Sequence, residues 1–201
     1  MIRPFVILSL PRCRTHWLSK FLTYRDWTCG HEELRHVRTL EDVKSWMSQP
    51  CTGTAETAGA PFWRLIPSDV RIVIIRRPIE QIVSSFMTTM PGVFDRSGLT
   101  ALMERQDYKI SQILRRYPTT LAMSFDELKS ETSCKTIFEY CLPYEHDHQW
   151  WHVLSGINLQ INLPAFLRYT IAYRPQITGA ALEAKGVTLF KMRGGQKWHS
   201  P

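Results

Sequence analysis

The stretch "LPRCRTHWL" (10–18) places two arginines, a cysteine, a threonine and a histidine where the apolar run "FVILSL" (5–10) gives way to an amphipathic pattern. Guanidiniums and hydroxyls bind anions, and a strand-to-helix junction adds unpaired backbone N–H groups and the positive end of the helix dipole. Arg12, Cys13, Arg14, Thr15 and His16 are therefore candidate anion ligands. The pattern GxxxxGK[ST] is absent, which counts against an ordinary ATPase or GTPase. A second stretch, "VRIVIIRRPIEQIVSSF" (70–86), ends an apolar run in Arg76 and sets Ser84 eight residues later. Arg76 would leave a strand end and Ser84 would lie about two turns into the next helix, so the two could clamp one phosphate. A third, "CGHEEL" (29–34), offers His31 and Glu32, both able to accept a proton near neutral pH. The plain alternatives are solvated turn arginines, a strand that simply ends at the surface, and acids that complement a helix dipole. The joint occurrence of the two arginine-bearing stretches, in order and about 60 residues apart, favours the functional reading.

The elements that must position these residues follow from periodicity. Residues 4–10 read as a buried strand and 15–24 as a helix with Trp17, Leu18, Phe21 and Leu22 on one face. A short segment at 26–30 precedes an N-capped helix at 39–47, and 51–56 reads as a weak strand. A strong strand at 70–76 leads into a helix at 78–90 with proline at its start, then a long helix at about 99–116. A strand at 119–125 and a helix at 126–142 follow, and beyond Pro143 the pattern fades. Alternating strands and helices predict an α/β fold: a three-layer sandwich with a central parallel sheet and helices on both faces, in one domain spanning 1–201. Ligands of such sheets sit beyond the carboxyl ends of the strands, where all three stretches fall.

The net charge of +7 favours an anionic partner. The seven tryptophans are scattered without an interleaved basic run, so nucleic acid is disfavoured and core packing is the default. Five widely spaced cysteines without a CxxC pair indicate neither zinc nor a disulfide framework, and predict reduced thiols in a cytoplasmic setting. His146, His148 and His152 lack a matching carboxylate or cysteine spacing, so no metal is expected. Pro11, Arg12 and Arg14 interrupt the early apolar run, which argues against a signal peptide, and no run approaches the roughly 20 apolar residues of a membrane span.

Residues 11–18, "PRCRTHWL", resemble the PKSGTTWL or PRSGTTWL turn of the P-loop-like sulfotransferases that use 3′-phosphoadenosine 5′-phosphosulfate (PAPS). Arg76, Pro78 and Ser84 match the spacing of that family's 3′-phosphate site. "MSFDELKSE" (123–131) is like its YEDL-type segment, and "KMRGGQKW" (191–198) is faintly similar to its C-terminal glycine-containing segment. The resemblance implies a P-loop-NTPase-like fold and a sulfotransferase with PAPS as co-substrate and no metal. It puts Arg12 on the transferring sulfuryl group and Thr15 and His16 on the 5′-phosphate. His31 or Glu32 would be the base for a small-molecule or carbohydrate acceptor. Cys13 and Arg14 depart from the family's Ser and Gly, so position 14 either does without a positive φ or is strained. The alternatives are a nucleotide or small-molecule kinase with a degenerate phosphate loop and a non-catalytic nucleotide- or nucleic-acid-binding module.

Overall fold

The computed structural model describes residues 4–57, 66–67, 70–117 and 119–157. Five parallel strands, β1 (Phe5–Ser9), β2 (Thr28–His31), β3 (Thr52–Thr57), β4 (Arg71–Arg76) and β5 (Leu121–Ser124), form one sheet in the order β2-β3-β1-β4-β5. Every residue of β1 is buried, as are Ile72 to Ile75 of β4. Successive strand residues point to opposite faces, so unbroken burial requires cover on both. The cover comes from helices α1 (Thr15–Phe21), α2 (Leu40–Met47), α3 (Ile79–Thr89), α4 (Arg96–Arg116), α5 (Glu131–Cys141) and α6 (His148–Ser155). The expected three-layer α/β sandwich is present.

Three elements differ from the sequence pattern, each for a local reason. Strand β3, weak in sequence, lies between β2 and β1 and is buried from Thr52 to Glu56. Gly53 is required there, because a Cβ would stand 2.2 Å from the Phe5 ring. Buried Glu56 is tolerated because it accepts from the Thr54 hydroxyl at 2.5 Å and the Leu34 N–H at 3.0 Å. The helix expected over 126–142 is divided at extended Ser130 into a 3-10 turn at Glu127–Lys129 and α5. Helix α6 arises in the stretch where periodicity fades, started by Asp147, which accepts from the Trp150 N–H at 2.9 Å. It is pinned to α1 by two indoles, Trp17 Nε1 to the Leu154 carbonyl and Trp150 Nε1 to the Phe21 carbonyl, each at 2.9 Å. The glycine-containing stretch 191–198 lies outside the described residues.

The strand order fixes where a ligand can sit. From β1 the chain turns toward β2, whereas from the adjacent β4 it turns toward β5. Neighbouring strands with diverging exits leave a crevice beyond their carboxyl ends. Residues 10–15 and 77–78 border it.

Candidate anion site

The β1–α1 turn is built on left-handed backbone. Arg12 has φ 67° and Arg14 has φ 62°, ψ 22°. Of the two alternatives for position 14, strain is the one observed. Left-handed non-glycine residues cost about 1–3 kcal/mol each and persist only where surrounding contacts hold them. Between them Cys13 is fully buried, its thiol donating toward the Pro11 carbonyl at 3.7 Å. Burial pushes that thiol up to about 12, against a smaller opposite pull from Arg77. Cys13 can therefore offer a ligand its backbone, not its sulfur. Thr15 is buried at the start of α1, and His16 is exposed beside it.

Three guanidiniums gather around this turn. Arg12 runs along α3, with Nε donating to Ser85 Oγ and Nη2 to Thr89 Oγ1, both at 3.0 Å. Arg14 lies 5.9 Å over the Trp17 ring and 5.8 Å over the Phe125 ring, and reaches the Leu128 carbonyl at 3.4 Å. Arg77 stacks 4.1 Å over Phe125 and donates through Nη1 to the Arg12 carbonyl at 2.8 Å and through Nε to Gln81 at 3.3 Å. All these partners are neutral. Among the described residues, none of the three forms an ion pair with a carboxylate. Desolvation, and then the charge of Arg77, pull the pKa of Arg12 below its usual value.

Arg76 and Ser84, the expected clamp on one phosphate, share no hydrogen bond. Arg76 donates to Ser111 Oγ at 2.5 Å and lies 3.6 Å from the Asp107 carboxylate, both on α4. Ser84 is exposed on α3. Sequence reasoning missed Arg77, Ser85 and Thr89. Adjacent residues at a strand end point to opposite faces, so Arg76 and Arg77 take different neighbours, α4 for Arg76 and the β1–α1 turn for Arg77. Ser85 and Thr89 share a helix face by their i,i+4 spacing.

The chain matches no protein-family model, and no curated protein is significantly similar to it. The likeness to sulfotransferases rests on the residues of the two arginine-bearing stretches.

On the other side of β3 from β1 stands the β2 exit. His31 Nε2 lies 3.1 Å from Thr15 Oγ1, and the His16 ring meets the His31 ring edge-on at 5.2 Å. Glu32 has φ 60° and its N–H reaches the Ala55 carbonyl at 3.0 Å. Its carboxylate accepts from the Thr57 hydroxyl. Glu33 folds back over Gly30, where a Cβ would stand 2.0 Å from its carboxyl carbon, and accepts from Trp46 Nε1 at 3.2 Å. A hollow of about 350 Å³ beside Glu33 is lined by Leu34, Val37, Asp42 and Trp46 among others, and by none of the three arginines. Burial raises the pKa of Glu56 in the strand beneath, with a smaller contribution from the charges of Glu32 and Glu33.

His146 and His148 share one oxygen of Glu131, at 3.1 and 2.6 Å. Among the described residues no group of three or more His, Cys, Asp or Glu is arranged to hold a metal ion. No described helix is long and apolar enough to cross a membrane.

Proposed function

We propose that the protein transfers a sulfuryl group from PAPS to a hydroxyl or amine of a small-molecule or carbohydrate acceptor. The observation that supports this most is the set of guanidiniums of Arg12, Arg14 and Arg77 at the carboxyl ends of β1 and β4, each held by neutral groups alone. The three cations repel one another, the Asp126 carboxylate acts on Arg77 only as the least of its own electrostatic contacts, and a multiply charged phosphate–sulfate ligand removes the repulsion that is left. Thr15 and His16 border the same turn and suit the 5′-phosphate.

In the reaction the acceptor oxygen or nitrogen attacks sulfur, and the bond from sulfur to the bridging oxygen breaks. The electron pair leaves with adenosine 3′,5′-bisphosphate. Arg12, fixed by Ser85 and Thr89, stabilises charge on the sulfuryl and bridging oxygens, as preorganised donors do in related transfers. The acceptor proton passes to His31, the member of the His31–Glu32 pair that reaches the donor turn through Thr15. Glu32, held by Thr57, orients the acceptor. The five cysteines are unpaired, in keeping with a reducing cytoplasmic setting. An acceptor screen with radiolabelled PAPS tests the reading; label transferred from ATP and not from PAPS overturns it.

One observation favours a second reading. Arg76 is already engaged by Asp107 and Ser111. A nucleotide without a 3′-phosphate would leave that pairing intact, as in a kinase or a non-catalytic nucleotide-binding module. Calorimetry decides: bisphosphate binding no tighter than 5′-AMP selects the second reading.

A further inference from the structure

We propose that Arg77 is the positioning residue of the anion site, fixing the Arg12–Arg14 turn and through it the placement of the Arg12 guanidinium. The inference rests on the nucleotide reading above, in either of its forms. Arg12 is left-handed, and a strained residue of this kind needs a contact from outside its own segment. Arg77 supplies one, from the strand on the other side of the crevice, by its 2.8 Å bond to the Arg12 carbonyl.

Arg77 is itself held. Phe125, just past β5, carries its guanidinium plane at 4.1 Å, and Gln81 on α3 receives its Nε. One side chain thus fastens the segments after β1, β4 and β5. A guanidinium has five N–H donors, of which these bonds use two, so donors remain for an anion. Arg76, one residue earlier, serves α4 instead. The bland account, that Arg77 is only surface packing on an aromatic ring, leaves the bond to a strained carbonyl as coincidence.

The test measures binding of adenosine 3′,5′-bisphosphate and 5′-AMP by calorimetry in the wild-type chain and in Arg77→Ala, Arg77→Met, Arg77→Lys and Arg76→Ala. Arg77→Met keeps an apolar stem over Phe125, which preserves the fold if Arg77→Ala does not. Both nucleotides carry the 5′-phosphate that the turn serves. Arg77→Met should therefore weaken both by about 10- to 100-fold, and Arg77→Lys should recover little because the planar fork is lost. Millimolar guanidinium ion should restore part of the binding in Arg77→Ala, which general loosening of the fold would not allow. Arg76→Ala should leave 5′-AMP binding unchanged. A folded Arg77→Met chain with wild-type affinity for both nucleotides overturns the inference, as does full recovery by lysine. If the wild type binds both nucleotides equally, the sulfotransferase reading falls while the effect at Arg77 still decides this one. If it binds neither, both fall.

Discussion

The exits of β1 and β2 solve the same backbone problem with opposite charge. Each leaves its strand through left-handed non-glycine residues, Arg12 and Arg14 in one case and Glu32 in the other. The first is fastened by acceptors, with the Arg12 side chain on Ser85 and Thr89. The second is fastened by a donor, the Thr57 hydroxyl on the Glu32 carboxylate. Thr15 and His31 join them at 3.1 Å. Neither turn has the glycine that would make its conformation inexpensive, so tertiary contacts hold both. Under the proposed function this charge difference would sort the ligand, with the anion at the β1 exit and the group that loses a proton at the β2 exit.

The most damaging changes should be those that remove the chemistry of one exit while sparing the other. His31→Ala should lower turnover by about 10²–10⁴-fold, and Glu32→Gln should cost less. Rates of the two variants at saturating PAPS check this, and a larger loss in Glu32→Gln would exchange the two roles. At the other exit, Arg12→Ala should lower turnover by about 10²–10³-fold while affecting the bisphosphate product less, because the product lacks the sulfuryl group. Arg12→Lys should keep part of the rate, since charge survives without the fork. Equal losses in product affinity and turnover would make Arg12 a binding residue alone.

Much of this frame was legible in the chain. The unbroken apolar runs at 5–8 and 72–75 announced buried parallel strands, and the basic residues after each run marked the strand ends where Arg12, Arg14 and Arg77 gather. What could not be read was direction. Arg76 and Arg77 are chemically identical, and only the sheet decides that Arg77 turns to the β1 exit while Arg76 meets Asp107 on α4. Strand β3 was faint because its burial comes from its place between two strands and not from apolar side chains. Its Thr54 and Glu56 satisfy each other and a neighbouring N–H. That Cys13 could serve a ligand only through its backbone was not legible, because sequence cannot show that a turn side chain points inward.

Beneath the anionic exit, Glu56 gives a smaller effect, on stability. Removing its carboxyl in Glu56→Ala leaves the buried Leu34 N–H and Thr54 hydroxyl without a partner, at a cost of about 1–3 kcal/mol. Its folded pKa is raised, first by burial. A raised pKa means the folded state favours the proton, so this contribution is full below the ordinary glutamate range and is lost as pH rises through the folded value. Glu56→Gln keeps a carbonyl acceptor and cannot titrate. Urea unfolding of the two chains from pH 4 to 8 should show the wild type losing stability relative to Glu56→Gln as pH rises. A constant difference across that range would mean the carboxyl keeps its charge on burial.

The smallest effect separates strain from charge at the cationic exit. In Arg14→Gly the left-handed backbone loses its Cβ penalty, a gain of about 1–2 kcal/mol. Against that stand the greater freedom of glycine in the unfolded chain, about 0.5–1 kcal/mol, and the exposed contacts of Arg14 with Trp17 and Phe125, about 0.5–1 kcal/mol in all. These terms nearly cancel, so stability should stay within about 1 kcal/mol of the wild type, while bisphosphate affinity falls about tenfold with the lost cation. Arg14→Ala removes the same charge but keeps the strain, and should be less stable than Arg14→Gly by about 1 kcal/mol at equal affinity. Paired melts and titrations of the two variants therefore read strain as the difference between them and charge as what both have lost. The same pair at Glu32, glycine against alanine, should repeat the stability gap without the loss of nucleotide affinity. If Glu32→Gly weakens bisphosphate binding as much as Arg14→Gly does, the two exits do not divide the ligand between them, and the contrast in charge is a feature of the surface alone.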